Sequence, residues 1–336
     1  MDFQISVLIT FYNQEEYVDR AIDSVMSQNT LFPFVVLIGD DGSTDSTIEK
    51  IMKWEEKYKD RIFHIVQNRS SNEKYIAGSR ASRNRMALLE LVKTPYFIFL
   101  DGDDYWTDTR KLQKQYEILE KKENNDCIGC AHGIMLTSET NGIVAEKKTV
   151  IPRFLNKERK YSLKKYWSNY YFHTDTILFR SGNIGDLPKE ILRDFFNDNI
   201  ITFTFMQFGS MYYLPDVMAV YRMNEKGLWV GEKKAINAFR EILSFDIVNL
   251  INSRVKMVSS TRYNAAFRYY EKNKNEFVRL PTIYKELAQN HQCTVSLRAT
   301  KGEPLFSKIG AFDWIIVKWF QLCFTLKSIK KAIIKH

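Results

Sequence analysis

The sequence predicts an α/β fold: a mostly parallel sheet flanked by helices, followed by a helical C-terminal extension. Short apolar runs rich in β-branched and aromatic residues alternate with segments of helical length and periodicity through the first hundred residues. Each run gives way to a polar loop, as parallel strands do when crossover helices cover both faces of their sheet. Beyond residue 232 helical periodicity replaces the alternation.

The strand runs are residues 5–9, 34–38, 62–66 and 96–100, and the helical segments are 15–27, 46–58 and 81–92. From 126 to 225 the pattern is less regular. Strands at 128–135, 177–179 and 217–221 around a helix near 198–207 are expected to complete the sheet and shape an acceptor pocket. Helices are expected over 235–251, near the tyrosine-rich 263–270 and after Pro304. Residues 1–230 are therefore expected to form one domain and 231–336 a helical region.

A chain of 336 residues with 45% hydrophobic and 14% aromatic residues builds a real core and lies outside the disordered class. The net charge of +9 is unevenly spread. Acidic clusters lie before residue 130, whereas Lys327, Lys330, Lys331 and Lys335 close the chain, which suggests an anionic surface as partner. Residues 309–326 are apolar at helical spacing but interrupted by Asp313 and Lys318. Two readings stand equally: an interfacial helix on an anionic leaflet, or a terminal helix packed on the protein's own core. Four cysteines make no secreted disulfide framework and no signal peptide opens the sequence, so a reducing cytoplasm is expected, peripheral to the membrane if that helix binds it. Cys127 and Cys130 read as buried strand residues, because no second pair stands at zinc spacing.

The candidate chemistry lies in the loops after the strands, where open α/β sheets bind ligands. Asp101, Asp103 and Asp104 follow a buried apolar strand directly, and Gly102 permits a tight turn among them. Like charges so close repel unless a cation joins them, and a hard divalent ion with oxygen ligands, Mn²⁺ or Mg²⁺, resolves the conflict. In the run from Asp40 to Asp45 a helix cap accounts for Ser43, Thr44 or Asp45 but leaves Asp40 and Asp41 over. A carboxylate at a strand end can accept the imide N–H of a uracil. Arg80, Arg83 and Arg85 are expected to open a helix, against the macrodipole, which a diphosphate would justify.

Thr10 to Asn13, the Asp40 to Asp45 run, Gly78 with Ala81 to Asn84, and Phe99 to Trp106 occur in an order and spacing that resemble the family-2 inverting glycosyltransferases of the GT-A fold, a Rossmann-like, mostly parallel sheet flanked by helices. The resemblance covers roughly residues 3–230. It implies that Thr10, Tyr12 and Asp41 hold the base and ribose of a nucleotide-sugar donor, a UDP-sugar, with Asp40 adjacent and Arg83 reaching the nucleotide. It implies further that Asp101, Asp103 and Asp104 form the DxD-type motif, with Asp103 and Asp104 on the metal. Asp198 is the candidate catalytic base, with Asp194 as fallback, and Arg222 could help neutralise the phosphates. His173 reads first as a structural hydrogen-bonder at a strand start. The acceptor would be a glycan or lipid-linked hydroxyl.

Two other classes are weighed. An Asp-x-Asp phosphotransferase or phosphatase would use Asp101 as nucleophile, but leaves Thr10 to Asn13 and the Asp40 to Asp45 run without a task. A non-catalytic binding module, for a nucleotide sugar or for nucleic acid, fits the basic charge; no nucleic-acid partner is expected, however, because the basic residues form no aromatic-interleaved stripe. A dinucleotide dehydrogenase lacks its GxGxxG after the first strand.

Overall fold

The computed structural model describes residues 2–68, 77–140, 143–151, 158–169, 172–223, 233–253 and 261–305. The segment 309–326 and the terminal lysines lie outside the described residues. The chain divides into two compact units, Met1–Glu232 and Lys233–His336.

The first unit is built on one ten-stranded sheet. Its strands are β1 (Ile5–Phe11), β2 (Phe34–Asp40), β3 (Ile62–Val66), β4 (Tyr96–Asp101), β5 (Tyr105–Trp106), β6 (Cys127–Thr140), β7 (Ile143–Ile151), β8 (Arg159–Tyr161), β9 (Leu178–Arg180) and β10 (Ser210–Met223). Its helices are α1 (Val18–Met26), α2 (Thr47–Lys57), α3 (Ala77–Glu90), α4 (Lys111–Glu120), α5 (Leu163–Asn169), α6 (Lys189–Leu192) and α7 (Asp198–Phe205). The spatial order is β3-β2-β1-β4-β9-β6-β10-β5, with β7 on β6 and β8 on β10. β3, β2, β1 and β4 run parallel, whereas β9 is antiparallel to both its neighbours. Because β2 lies on one side of β1 and β4 on the other, the winding reverses between β1 and β4. Such a switch point opens a crevice beyond the carboxyl ends of the strands.

β1, β2 and β4 are buried on both faces, so they read as continuous rather than alternating apolar runs. One face packs Val7, Ile9, Val36, Ile38, Ile98 and Leu100 in a cluster with Ala21, Ile22 and Val25 of α1. The other is aromatic: Phe97 stacks on Phe179 at 5.2 Å, and Phe99 meets Phe196 edge-on at 5.9 Å. Cys127 and Cys130 are buried in β6, as expected of strand cysteines.

Several boundaries differ from the sequence expectation. α3 begins at Ala77 rather than 81, so Arg80 falls in its first turn while Arg83 and Arg85 sit deeper in the helix. β10 begins at Ser210 rather than 217; its pairing with β6 shifts register between Leu214 and Val217, where Pro215 has no N–H for the ladder. α4 was not expected, because its buried face carries Lys111, Gln113 and Gln115 beside Leu112, Ile118 and Leu119 and so breaks the apolar periodicity.

Gly102 is needed for close approach. Its N–H donates to the Thr10 carbonyl at 2.9 Å, and a Cβ there would lie 2.2 Å from Phe11 Cδ1 and 2.6 Å from that carbonyl oxygen. The end of β4 is thereby drawn onto the end of β1.

The second unit is helical over its described residues: α8 (Lys234–Ile251), α9 (Thr261–Lys272), α10 (Lys274–Val278), α11 (Thr282–Asn290) and α12 (Thr294–Thr300). Phe239 meets Tyr284 edge-on at 5.6 Å, and Tyr270 meets Phe277 at 4.8 Å. α12 has no side-chain cap of its own. Asp246, on the buried face of α8, supplies one by accepting from Val295 N at 3.2 Å, Ser296 N at 2.7 Å and Ser296 Oγ at 2.7 Å. No described helix is long and apolar enough to cross a membrane.

Two outcomes are expected. Asp246→Ala leaves first-turn N–H groups of α12 without their acceptor and should cost about 1–3 kcal/mol, read by urea denaturation of the full chain. Gly102→Ala forces the β1 and β4 ends apart and should cost about 1–3 kcal/mol in the same assay.

Candidate active site

The loops after β1 and β2 are tied to each other before they are offered to any ligand. Asn13, in the left-handed region at φ 49°, donates its N–H to Ser43 Oγ at 2.9 Å and accepts from Thr44 N at 2.8 Å through Oδ1. Gln14 N reaches Thr47 Oγ1 at 2.9 Å, and Glu15 N reaches Asp45 Oδ2 at 3.1 Å. Asp40 is fully buried and accepts from Ser43 N at 2.7 Å and Ser43 Oγ at 2.5 Å, so both its oxygens close the loop. Gly42, at φ 73°, supplies the turn.

Asp41 points the other way. Arg80 Nη2 donates to the Asp41 carbonyl at 2.8 Å and to Oδ1 at 3.0 Å, and its guanidinium lies 5.3 Å from the centre of the Tyr12 ring. Tyr12 is 43% exposed just past the end of β1. Thr10 lies in register with Gly39 on one side and Asp101 on the other. Asn84 of α3 donates to the Gly39 carbonyl at 2.8 Å, and a Cβ on Gly39 would come 2.2 Å from Asn84 Oδ1. This close fit fixes how far α3 stands from the sheet, and with it the three arginines.

Each arginine is matched to an acid. Arg80 takes Asp41, Arg83 Nε donates to Asp194 Oδ1 at 2.8 Å, and Arg85 reaches Asp101 and Asp198. The Arg85 contacts bring the candidate base to the acidic loop. Its Nη2 is 2.5 Å from Asp101 Oδ1, while Nη1 is 3.5 Å from Asp198 Oδ1 and from the Phe196 carbonyl. Burial alone would weaken the Arg85 charge, but Asp101 and Asp198 outweigh it and hold the guanidinium firmly protonated.

Asp198 opens α7, capped by the Asn197 side chain accepting from Ile200 N at 3.2 Å. Its other oxygen lies 3.7 Å from His173 Nε2, and its side chain is 20% exposed. His173 is buried beside Tyr221 at a ring distance of 4.8 Å. Its Nδ1 accepts from Asp175 N at 3.4 Å, which leaves the Nε2 hydrogen for the Asp198 side. Burial pulls the His173 pKa down, yet Asp175, Asp198 and Asp101 together raise it above the ordinary value.

Asp101, Asp104, His173 and Asp175 each offer a ligand atom, all within 4.8 Å of one another. Asp103 stands outside this group; its carbonyl accepts from Arg222 Nη1 at 2.9 Å. Arg222 is held between Tyr17 and Tyr105, 5.0 and 4.6 Å from their ring centres, and its N–H donates to Asp104 Oδ1 at 2.8 Å. Asp104 and Asp175 are fully buried. Burial, then the neighbouring acids, push Asp104 well above the carboxylate range; burial likewise lifts Asp175 to about 7 despite the opposing pull of His173. Asp104 Oδ2 and Asp175 Oδ2 are buried without a close hydrogen bond, and His173 Nδ1 stands 3.5 Å from Asp175 Oδ2. Orphaned buried oxygens, beside a third carboxylate and an imidazole, are a donor set that suits a divalent cation.

Sequence reasoning names Asp101, Asp104 and Asp198, which converge, and Thr10, Tyr12 and Asp41, which lie at the ends of the neighbouring strands β1 and β2. It names Arg83 and Asp194 separately, and they prove to be partners. It passes over Asp175 and the bridging role of Arg85. The only signal for Asp175 is an acid immediately before an apolar strand, and no local pattern pairs Arg85 with residues 16 and 113 positions further on.

The family described as glycosyl transferase family 2 matches residues 6–184. An uncharacterised protein of Mycobacterium bovis is 29% identical over 226 residues, covering 67% of this chain and 60% of that protein. The chain thus spans about 60% of the length of this mycobacterial relative. TuaG of Bacillus subtilis, a putative teichuronic acid biosynthesis glycosyltransferase, is 25% identical over 244 residues, 71% of this chain and 88% of TuaG. Among solved structures, S. aureus TarS 1-349 in complex with UDP superposes with a TM-score of 0.57 at 15% identity, covering 97% of this chain and 92% of that one. The mannosyltransferase PcManGT from Pyrobaculum calidifontis, in complex with GDP-Man and Mn²⁺, gives 0.51 at 14% identity, covering 91% and 88%. The expected GT-A architecture is the one shared with these structures, and the matched segment runs from β1 through the acidic loop and His173 to just beyond β9: the chain belongs to glycosyl transferase family 2.

Proposed function

We propose that the protein is an inverting glycosyltransferase that moves a sugar from a UDP-sugar to a hydroxyl of a growing glycan or lipid-linked acceptor. The observation that carries this reading is the convergence of Asp198 with Asp101 through a shared Arg85, beside a crevice edged by Tyr12 and Asp41. A base and a leaving-group site are thereby neighbours, as a single displacement requires. UDP and GDP-Man in the structural relatives support a nucleotide-sugar donor. The undecaprenol-linked acceptor named for the E. coli glucosyltransferase WfaP, 33% identical over 119 residues, supports the lipid-linked one.

In this reading Asp41 and Tyr12 receive the base, Thr10 the ribose, and Arg83 the diphosphate, for which it exchanges its Asp194 partner. Asp198 accepts the proton of the acceptor hydroxyl as that oxygen attacks the anomeric carbon, with Arg85 and His173 fixing the direction of its carboxylate. Asp103 and Asp104 would hold Mn²⁺ or Mg²⁺, with Asp101 beside them at the end of β4. When bound, the ion supplies Lewis-acid stabilisation of the charge on the leaving diphosphate. Catalysis by residues 1–230, and attachment of the lysine-rich end to the inner face of the plasma membrane, complete the proposal; the second rests on the charge of Lys327, Lys330, Lys331 and Lys335.

A panel of UDP-, GDP- and dTDP-sugars with Mn²⁺, Mg²⁺ or EDTA tests the donor. Saturable binding and slow hydrolysis of one UDP-sugar, abolished by EDTA, is expected; absence of binding across the panel under both metals refutes the reading. Asp198→Asn should lose ~10²- to 10⁴-fold in turnover while keeping donor affinity, and near wild-type turnover would remove Asp198 as base. Arg85→Met breaks a buried pair and should cost about 3–5 kcal/mol of stability by calorimetry, whereas Arg85→Lys should keep the fold and lose turnover, because an ammonium cannot span both acids.

A further inference from the structure

α4 carries two polar side chains into the core, Lys111 and Gln115, and both are fully buried. Gln115 uses both ends of its carboxamide. Its Nε2 donates to the Cys130 carbonyl and, at 2.9 Å, to the Thr176 carbonyl, while its Oε1 accepts from Lys111 Nζ at 2.9 Å. The ammonium fixes which way the amide faces, because a flipped amide would turn its N–H groups on Lys111 and its oxygen on two carbonyls. The β6–β9 ladder has two rungs, Gly129 with Phe179 and Cys130 with Leu178, and ends before Thr176, so the carboxamide takes the place of a further rung. Lys111 Nζ also lies 4.1 Å from the centre of the Trp106 ring, two residues beyond Asp104. The pair thus spans from the segment after the acidic loop to the turn before β9.

That turn carries His173, and Thr176 closes it: its N and its Oγ1 both donate to the His173 carbonyl, at 3.0 and 2.6 Å. From there His173 Nε2 stands 3.7 Å from Asp198 Oδ2. We propose that Gln115, oriented by Lys111, is a positioning residue that holds the turn at the depth from which His173 faces the candidate base. This rests on the transferase reading only for the role of Asp198 as base. A carboxylate at position 115 could still accept from Lys111 but has no proton for either carbonyl, and an aliphatic side chain would leave the ammonium unanswered as well. At 3.7 Å the imidazole is already at the limit of its reach, so a small retreat of the turn separates it from Asp198. A misplacement of about 1 Å can cost ~10²-fold in rate.

Two readouts on the full chain test this, and the first needs no nucleotide. The ring ¹⁵N resonances of His173, identified by their loss in His173→Gln, should report an Nε2–H tautomer in the wild type and shift in Gln115→Glu. Lys111→Met keeps both carboxamide donors and an apolar stem beside Trp106; it should shift the same resonances by freeing the amide to turn. Unchanged resonances in Gln115→Glu, or in Lys111→Met should the first variant not fold, overturn the proposal. The second readout is UDP-sugar turnover per UDP site titrated by calorimetry, so that unfolded chains do not count. Gln115→Glu is expected to lose ~10- to 10²-fold per site with the KM for the donor unchanged. Leu119→Ala, which loosens the buried face of the same helix, should lower stability and keep wild-type turnover per site. No loss in Gln115→Glu, or an equal loss in Leu119→Ala, overturns the proposal. Absence of turnover in the wild type counts against the transferase reading alone, and the His173 resonances then decide whether Gln115 holds the turn.

Discussion

Placing several carboxylates at the buried end of a strand is the constraint around which the first unit is arranged. Two like charges 4.8 Å apart at an effective dielectric of about 20 repel by about 3–4 kcal/mol, a sizeable share of a total stability of about 5–15 kcal/mol. Asp101, Asp104 and Asp175 are three such groups, so the fold has to answer them. Its answers are protonation, seen in the raised pKa of Asp104 and Asp175, and charge, seen in Arg85 against Asp101. Main-chain N–H groups at Asp101 and Arg222 satisfy one oxygen of each fully buried acid. The remaining two oxygens face each other and His173, 3.5 Å from Asp175 Oδ2, so the charge of the cluster is shared rather than cancelled.

The sheet topology is what delivers these groups to one place. β1 and β4 are adjacent although separated by some ninety residues, and the reversal of winding between them leaves their carboxyl ends uncovered. Gly102 and Gly39 then let backbone and side chains come closer than any Cβ permits. α3 can approach β2 because Gly39 is bare, and only at that distance does Arg85 span from the helix to Asp101 and Asp198. A small residue in one strand thus determines whether an arginine in a helix reaches two acids elsewhere.

What the sequence made legible follows from how local each signal is. β1, β2, β3 and β4 were readable within two residues at their ends, because doubly buried strands are unbroken apolar runs. α4 was not, since Lys111 and Gln115 are buried polar residues whose partners, Trp106, Cys130 and Thr176, are brought to them by tertiary structure. Asp101, Asp104 and Asp198 stood out as acids at element ends. Asp175 and Arg85 did not, because their meaning lies in pairings that cross the fold. Placing Arg83 and Arg85 at the start of a helix was an error of boundary, since α3 begins at Ala77 and only Arg80 lies in its first turn; all three are matched by acids.

The same contrast explains why the crevice has two characters. On the side of β1 and β2 the loops close on themselves through Asn13, Ser43, Asp45 and Thr47, so the main chain there is set by its own hydrogen bonds and little ordering entropy is left to lose. Its acidic side is fixed in position yet electrostatically incomplete. A site rigid in geometry and unsatisfied in charge gains most from a cation, because no reorganisation offsets the interaction. Asp198 shares in that preorganisation through Arg85 at 3.5 Å and His173 at 3.7 Å, so the charges of the buried acids and of the candidate base are coupled through two intervening side chains.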